Sequence, residues 1–237
     1  MPYFKEKEIL FIHIPKNAGM FIEKTLEIPN QLASYRQPKS YKGLKKIMKI
    51  FVSKFFFSAL YNTHKLDLGK EYLYGIYAGR YPFQHASIEE LLAYNLINDN
   101  EIKSATILAV HRHPLSRSLS IYKYWGYDKE LSFEEFCIEY IQNRANAMGN
   151  FPLLVHLKSQ VSFLRNTSGI SLDKVHWLSF ENLNVDLTNF LTEKGLDLKL
   201  PQSLVNQSSS SEIHVSEKAK RIVEGVYHED YAYFGYK

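Results

Sequence analysis

Two places in the chain carry residue types at spacings suited to holding an anionic ligand. The first is Pro15-Lys16-Asn17-Ala18-Gly19-Met20-Phe21, directly after the apolar run Ile9 to Ile14. Small residues at Ala18 and Gly19 let main-chain amides approach a ligand. A helix opening there turns its positive end toward the same point, and Lys16 adds a mobile cation. The loop alone leaves a second reading open, in which Ala18-Gly19 is a tight strand-to-helix turn and Lys16 is solvated. Its order differs from the ATP-type phosphate loop, Gly-x4-Gly-Lys-Ser/Thr, whose lysine comes last and precedes a magnesium-binding hydroxyl. The second place is Val110-His111-Arg112-His113-Pro114-Leu115-Ser116-Arg117-Ser118-Leu119-Ser120. A helix beginning at Pro114 would turn Leu115, Leu119 and Tyr122 inward and leave Arg117 and Ser120, three apart, on the opposite face. A guanidinium at a strand end, a helix start and a hydroxyl on its first turns suit a second dianion, although ordinary salt bridges are the competing reading for either arginine.

Those residues need a scaffold that brings strand ends together. Ile9 to Ile14, Leu73 to Ala78, Ala105 to Val110 and Val175 to Phe180 are short, apolar and followed by loop or helix signals, as buried strands are. Helical patterns lie between them: Phe21, Ile22, Thr25 and Leu26; the capping-box-like opening Ser87-Ile88-Glu89-Glu90; the stripe after Pro114; Phe133 to Asn143; Leu153 to Leu164; and a last one from about Ser216. Strands separated by helices imply parallel crossovers, hence an α/β fold with a parallel central sheet flanked by helices. Ligands in such sheets sit beyond the carboxyl ends of the strands, where both anion-suited runs fall. The polar run Asn206 to Ser211 reads as a solvated connection or a lid.

Composition agrees with one domain over 1–237. The chain is 45% apolar and 14% aromatic, enough for a large core and against global disorder. One cysteine, Cys137, makes no internal disulfide and no cysteine-based zinc cluster, and the histidines show no metal-binding spacing, so no metal is expected. No run reaches the ~20 apolar residues of a membrane span, and no signal peptide or anchor is read at the start, so the expected location is cytoplasmic. The net charge of +4 is too small for a general nucleic-acid binder, and it is unevenly placed. No acidic residue lies between Glu27 and Asp67, while Arg36, Lys39, Lys42, Lys45, Lys46, Lys49, Lys54 and Lys65 do. Within this stretch Leu44, Ile47, Met48, Phe51, Val52, Phe55 and Phe56 recur at helical spacing, giving a basic amphipathic helical insertion at about 34–68. Three roles fit residues 41–60: packing on the core, guiding an anionic acceptor, or resting on an anionic membrane surface.

The pair Phe11-Ile12-His13-Ile14-Pro15-Lys16-Asn17-Ala18-Gly19 and Arg112-x-Pro114-x-x-Arg117-x-x-Ser120 resembles the two nucleotide-binding motifs of sulfotransferases that use 3′-phosphoadenosine 5′-phosphosulfate (PAPS). The likeness is to the carbohydrate branch that includes heparan 2-O- and chondroitin sulfotransferases. Weaker echoes follow in Gln160-Val161-Ser162-Phe163-Leu164, Leu178 to Leu183, Val205-Asn206 and Asp230 to Tyr236, so the resemblance spans most of the chain and lapses from about Ser34 to Leu68. It implies a P-loop NTPase-like sulfotransferase fold. Lys16 and the amides of Asn17, Ala18, Gly19, Met20 and Phe21 would hold the 5′-phosphosulfate, Lys16 neutralising charge as the S–O bond breaks. Arg112 and Ser120 would hold the 3′-phosphate, with Arg117 in the same nucleotide-binding set. The family usually has Thr-Gly-Gly-Thr-Ser where this chain has Asn17 to Phe21, so two hydroxyl contacts are missing; Ser116 stands where an acidic neighbour of Arg117 is usual.

Sulfuryl transfer needs a hydroxyl made nucleophilic, and a positioned histidine is the usual general base. His85, in Gly79-Arg80-Tyr81-Pro82-Phe83-Gln84-His85-Ala86-Ser87 after the second strand, resembles the family's catalytic histidine, whereas by itself it reads rather as a group that precedes a helix and hydrogen-bonds its amides. His13 reads as structural, and His111 and His113 flank Arg112, within reach of a nucleotide. The expected activity is transfer from PAPS to a hydroxyl, on a carbohydrate or another acceptor, releasing 3′-phosphoadenosine 5′-phosphate (PAP). The alternatives are a catalytically inactive nucleotide-binding or membrane-associated adaptor, motivated by Met20 and Phe21, and a P-loop-type nucleotide kinase.

Overall fold

The computed structural model describes residues 3–4, 7–27, 84–93, 97–147, 151–165, 169–201 and 213–237. They belong to one unit, drawn from Met1–Pro29 and Phe83–Lys237. The expected strand Leu73 to Ala78, the basic insertion at 34–68 and the polar run 206–211 lie outside the described residues.

The apolar runs form an α/β core. Strand β1 (Tyr3–Phe4) lies antiparallel against β2 (Ile9–Ile12), which runs parallel to β3 (Thr106–His111), which in turn runs parallel to β4 (Val175–Ser179). Ile9 stands opposite Thr106 and Ile12 opposite Ala109; Ile107 stands opposite Val175 and His111 opposite Ser179. This register brings the carboxyl ends of β2, β3 and β4 to one edge.

Alternate residues feed the two faces, as the pleat requires. Leu10, Ile12, Ile107, Ala109 and Val175 join one cluster with Ile88 and Leu91 of α2 (Ile88–Ala93) and Ile102 of α3 (Asp99–Ser104). Ile9, Phe11, Leu108, Val110 and Leu178 join the other with Phe21 and Ile22 of α1 (Gly19–Thr25) and Leu187, Phe190 and Leu191 of α7 (Leu183–Glu193). Strands covered on both faces carry apolar residues at successive positions, which is why they read from sequence as continuous runs.

The helix starts follow local chemistry. Ser87 and Glu90 close a reciprocal capping box, Ser87 N–H donating to Glu90 Oε2 at 2.7 Å and Glu90 N–H to Ser87 Oγ at 3.2 Å. Pro114 sits in the first turn of α4 (Pro114–Tyr124), where its missing N–H costs nothing. A third cluster joins Ile121 and Tyr122 of α4 to α5 (Phe133–Phe136), to the π-helical turn Cys137–Gln142 and to Ala219 and Val223 of α8 (Glu217–Val226).

Of the two helical stretches expected between the third and fourth runs, one is met and one is corrected. The stretch 133–143 is helical, α-wound over Phe133–Phe136 and π-wound over Cys137–Gln142. The stretch 153–164 is not continuous: α6 (Phe151–His156) stops, and a 3-10 turn, Val161–Phe163, follows. The carbonyls of His156 and Lys158 are taken by Arg117, and the amides of Gln160 and Val161 by Asp230 of α9 (His228–Phe234), so they are lost to a helical ladder. Among the described residues no helix is long and apolar enough to cross a membrane.

Candidate functional site

The loop between β2 and α1 is shaped by its backbone. Lys16 and Ala18 have φ of 67° and 58°, left-handed values on either side of Asn17. Such alternation turns successive N–H groups to one side, and left-handed non-glycine residues cost of order 1–3 kcal/mol each, which the surrounding packing must hold. Among the described residues, the amides of Asn17, Ala18 and Gly19 donate to no acceptor. The Phe21 amide donates to Ala18 O at 2.9 Å and its ring is buried in the core under α1, so its expected role in holding phosphosulfate is corrected. The Met20 side chain is exposed.

Gly19 is fixed by a close approach. A Cβ there would lie 2.0 Å from Cδ2 and Nε2 of the His13 ring. His13 is buried and its Nδ1 meets Glu23 Oε1 of α1 at 2.7 Å, so the ring cannot simply move aside. This agrees with His13 as a structural residue.

Arg112 enters from the end of β3. Its Nη1 donates to Lys16 O at 3.0 Å, its guanidinium lies 4.0 Å from the centre of the Phe180 ring, and its buried Nε has no partner. The Lys16 ammonium rests 3.9 Å from the centre of the Tyr124 ring at the end of α4. Among the described residues neither cation is in an ion pair. Glu181 is the carboxylate that favours charge on Arg112, but its oxygens accept from His113 N–H, Ser179 Oγ and Tyr236 OH. Burial, and then the charge of Arg112, lower the Lys16 pKa to about 8; burial lowers that of Arg112 to about 10.

The two motifs are tied together by Gln160, which is fully buried. Its Oε1 accepts from Asn17 Nδ2 at 2.6 Å and from Arg112 N–H at 2.9 Å; its Nε2 donates to Arg112 O at 2.9 Å and Asp230 Oδ2 at 3.3 Å. Asn17 Nδ2 donates also to Val110 O at 2.6 Å, so the amide is oriented unambiguously and its buried Oδ1 is left without a partner. The sequence stretches beginning at Lys16, Arg112, Gln160 and Asp230 thus converge on one hydrogen-bonded network.

His85 lies beside it. Its Nδ1 is 2.9 Å from His13 O, and a carbonyl only accepts, so Nδ1 carries the hydrogen and Nε2 carries the lone pair in the neutral ring. Burial first, then His13 and His156, hold its pKa well below the ordinary histidine value. A chain of rings links it to the lysine: His85 to His156 at 5.5 Å, His156 stacked with Tyr124 at 5.5 Å, and Tyr124 under Lys16.

Arg117 is corrected. It lies on the inward face of α4 with Pro114, Ser118, Ile121 and Tyr122, not outward beside Ser120. The residue is 1% exposed and its guanidinium donates to the carbonyls of Pro15, His156 and Lys158 at 3.1, 2.8 and 2.9 Å. It holds the loop from below and has no face for a nucleotide. Ser120 is half-buried, and no hydrogen bond joins it to Arg112. His111 and His113 are half-buried, the His111 ring stacked on Phe234 at 4.4 Å and the His113 ring meeting Tyr236 at 4.9 Å. No group of three or more His, Cys, Asp or Glu among the described residues could hold a metal ion.

Sequence reasoning passed over Tyr124 and His156, which carry no local signal, and treated Gln160 and Asp230 only as parts of longer echoes. In comparisons with known proteins, no family model, curated sequence or solved structure matches the chain.

Proposed function

We propose that this chain is a sulfotransferase with a P-loop-like sulfotransferase fold, moving a sulfuryl group from PAPS to a hydroxyl of an acceptor, a carbohydrate in the first instance. The observation that carries the reading is the meeting of Lys16 and Arg112. Two cations from the ends of neighbouring parallel strands are held together, partly desolvated and without a carboxylate partner among the described residues. Like charges so placed are costly alone and are repaid by an anion, and a nucleotide with phosphate at both ends offers one to each.

The donor supplies a sulfuryl group already bonded to a phosphate leaving group. In this reading Lys16 and the Asn17 to Gly19 amides face the 5′-phosphosulfate. Lys16 neutralises the charge that grows on the leaving phosphate oxygen as the S–O bond breaks. Arg112 takes the 3′-phosphate, with Ser120 as a further hydroxyl contact. His85 Nε2 takes the acceptor's proton while the acceptor oxygen bonds to sulfur, so the products are a sulfate ester and PAP. Residues 41–60 belong to the same proposal as a guide for an anionic acceptor or a peripheral membrane contact, and the enzyme is placed in the cytoplasm.

The test is incubation with PAPS and a panel of desulfated and partly sulfated glycans, followed by mass spectrometry. A product heavier by one sulfuryl group, lost with His85→Ala, supports the reading. PAP binding with no product on any acceptor favours the second reading, a catalytically silent nucleotide binder, to which the exposed Met20 and the core-packed Phe21 in the loop give some ground.

A further inference from the structure

We infer that Gln160 is a positioning residue that sets the spacing between the Lys16 loop and Arg112, and thereby selects a ligand with two anionic groups over one with a single group. This rests on the donor reading above. Gln160 comes from the break between α6 and the following 3-10 turn, and it has no path to a ligand, being fully buried. One side-chain amide nevertheless reaches both motifs. Its oxygen accepts from the Asn17 side chain at 2.6 Å and from the Arg112 amide at 2.9 Å, while its nitrogen donates to the Arg112 carbonyl at 2.9 Å. Asn17, the neighbour of Lys16, and the main chain of Arg112, far apart in sequence, are therefore in register through a single rigid group.

Gln160 is itself fixed. Asp230 Oδ2 accepts from its main-chain N–H at 2.8 Å, and Asp230 Oδ1 accepts from Val161 N–H at 3.0 Å. A planar amide held at both ends allows little rotation, so a change at Gln160 alters the separation of the cations rather than the strength of either. A ligand bridging both is sensitive to that separation; a ligand touching one is not.

The experiment is calorimetric titration of wild type, Gln160→Ala, Asn17→Ala and the double variant with PAP, adenosine 5′-phosphate and adenosine 3′-phosphate. Gln160→Ala is expected to weaken PAP by at least ~10-fold while each monophosphate changes by less than ~3-fold, so the preference for the bisphosphate collapses. Because Gln160 acts on the loop through Asn17, the double variant should bind PAP no more weakly than Gln160→Ala alone. An equal loss for all three ligands, no loss at all, or additive losses in the double variant overturns the assignment. Should Gln160→Ala fail to fold, Asn17→Ala alone must lower the ratio of bisphosphate to monophosphate affinity, and an unchanged ratio overturns it. Absence of PAP binding by the wild type brings down the donor reading as well, and so separates the two failures.

Discussion

The guanidinium of Arg112 donates from the end of β3 to the main-chain oxygen of Lys16, 3.0 Å away, so one cation is braced against the peptide unit that carries the other. Arg112 is therefore both a candidate ligand for phosphate and a strut for the Lys16 loop. Arg112→Lys keeps the charge but loses the planar fork and the Phe180 stack. It should weaken PAP by more than ~10-fold, given the ~1.5–3 kcal/mol usual for charge-assisted hydrogen bonds. Adenosine 5′-phosphate, which lacks the 3′ group, should lose less. Titration of both nucleotides checks this, and equal losses would remove Arg112 from the 3′ site.

The low pKa of Lys16 gives a pH dependence of definite sign. Lys16 is charged below about 8 and neutral above it, whereas an ordinary lysine stays charged to 10.5. PAP affinity should therefore fall as the pH rises through about 8 to 9, while Arg112, at about 10, remains charged. Binding on the alkaline side should take up a proton, seen calorimetrically as a dependence on buffer ionisation enthalpy. Lys16→Arg should move the fall to higher pH, and a flat affinity to pH 10 in the wild type would contradict the burial of Lys16.

For His85 the sign is opposite in pH but equally fixed. Its folded-state pKa lies below 6.5, so as the pH drops below 6.5 the unfolded chain takes up a proton first and stability is lost. Above that pH its contribution is constant. Chemical denaturation from pH 7.5 down to 5 should show this loss, and His85→Gln should flatten the curve. The same substitution should lower turnover by ~10²–10⁴-fold with PAP affinity kept, as for loss of a general base.

Gly19→Ala should destabilise the chain although alanine is the better helix former, because its methyl would meet the His13 ring at 2.0 Å. Overpacking of this kind costs about 1–3 kcal/mol, or roughly 2–12 °C in Tm for a chain of this size. Thermal unfolding measures it, and adding His13→Ala should recover part of the loss. No change in Gly19→Ala would mean that the ring is free to move.

Arg117→Ala should act on stability and not on selectivity. Removing the guanidinium strands three carbonyls that it now satisfies, at about 1–3 kcal/mol for each unsatisfied group. The bisphosphate-to-monophosphate affinity ratio of the folded variant should stay near that of the wild type. A collapse of the ratio would mean that the Arg117 bond to Pro15 O, and not Gln160 alone, sets the position of the loop.

What the sequence made legible was local or periodic. The β2 and β3 runs announce themselves because both faces of each are buried, and Ser87, Glu90 and Pro114 mark helix starts through bonds that span a few residues. The face of α4 was misread because Leu115 and Leu119 are apolar and Arg117 is charged. The charge goes inside since carbonyls of Pro15, His156 and Lys158, distant in sequence, converge on it. The break after His156 has the same origin. Of the site, Lys16, Arg112 and His85 stood out by residue type and place. Gln160 and Tyr124 did not, since their roles consist of contacts across 143 positions in one case and of a ring under a distant ammonium in the other.

The most direct test of the account is a thermal-shift titration with PAP, adenosine 5′-phosphate, and ATP with magnesium, since it requires no acceptor. At ~100 times its Kd a ligand adds roughly 2.7 kcal/mol, which should raise the midpoint by roughly 5–11 °C. The account predicts that shift with PAP and a clearly smaller one with adenosine 5′-phosphate, and the difference should disappear in Arg112→Ala. No shift with PAP, or a shift only with ATP and magnesium, would contradict it.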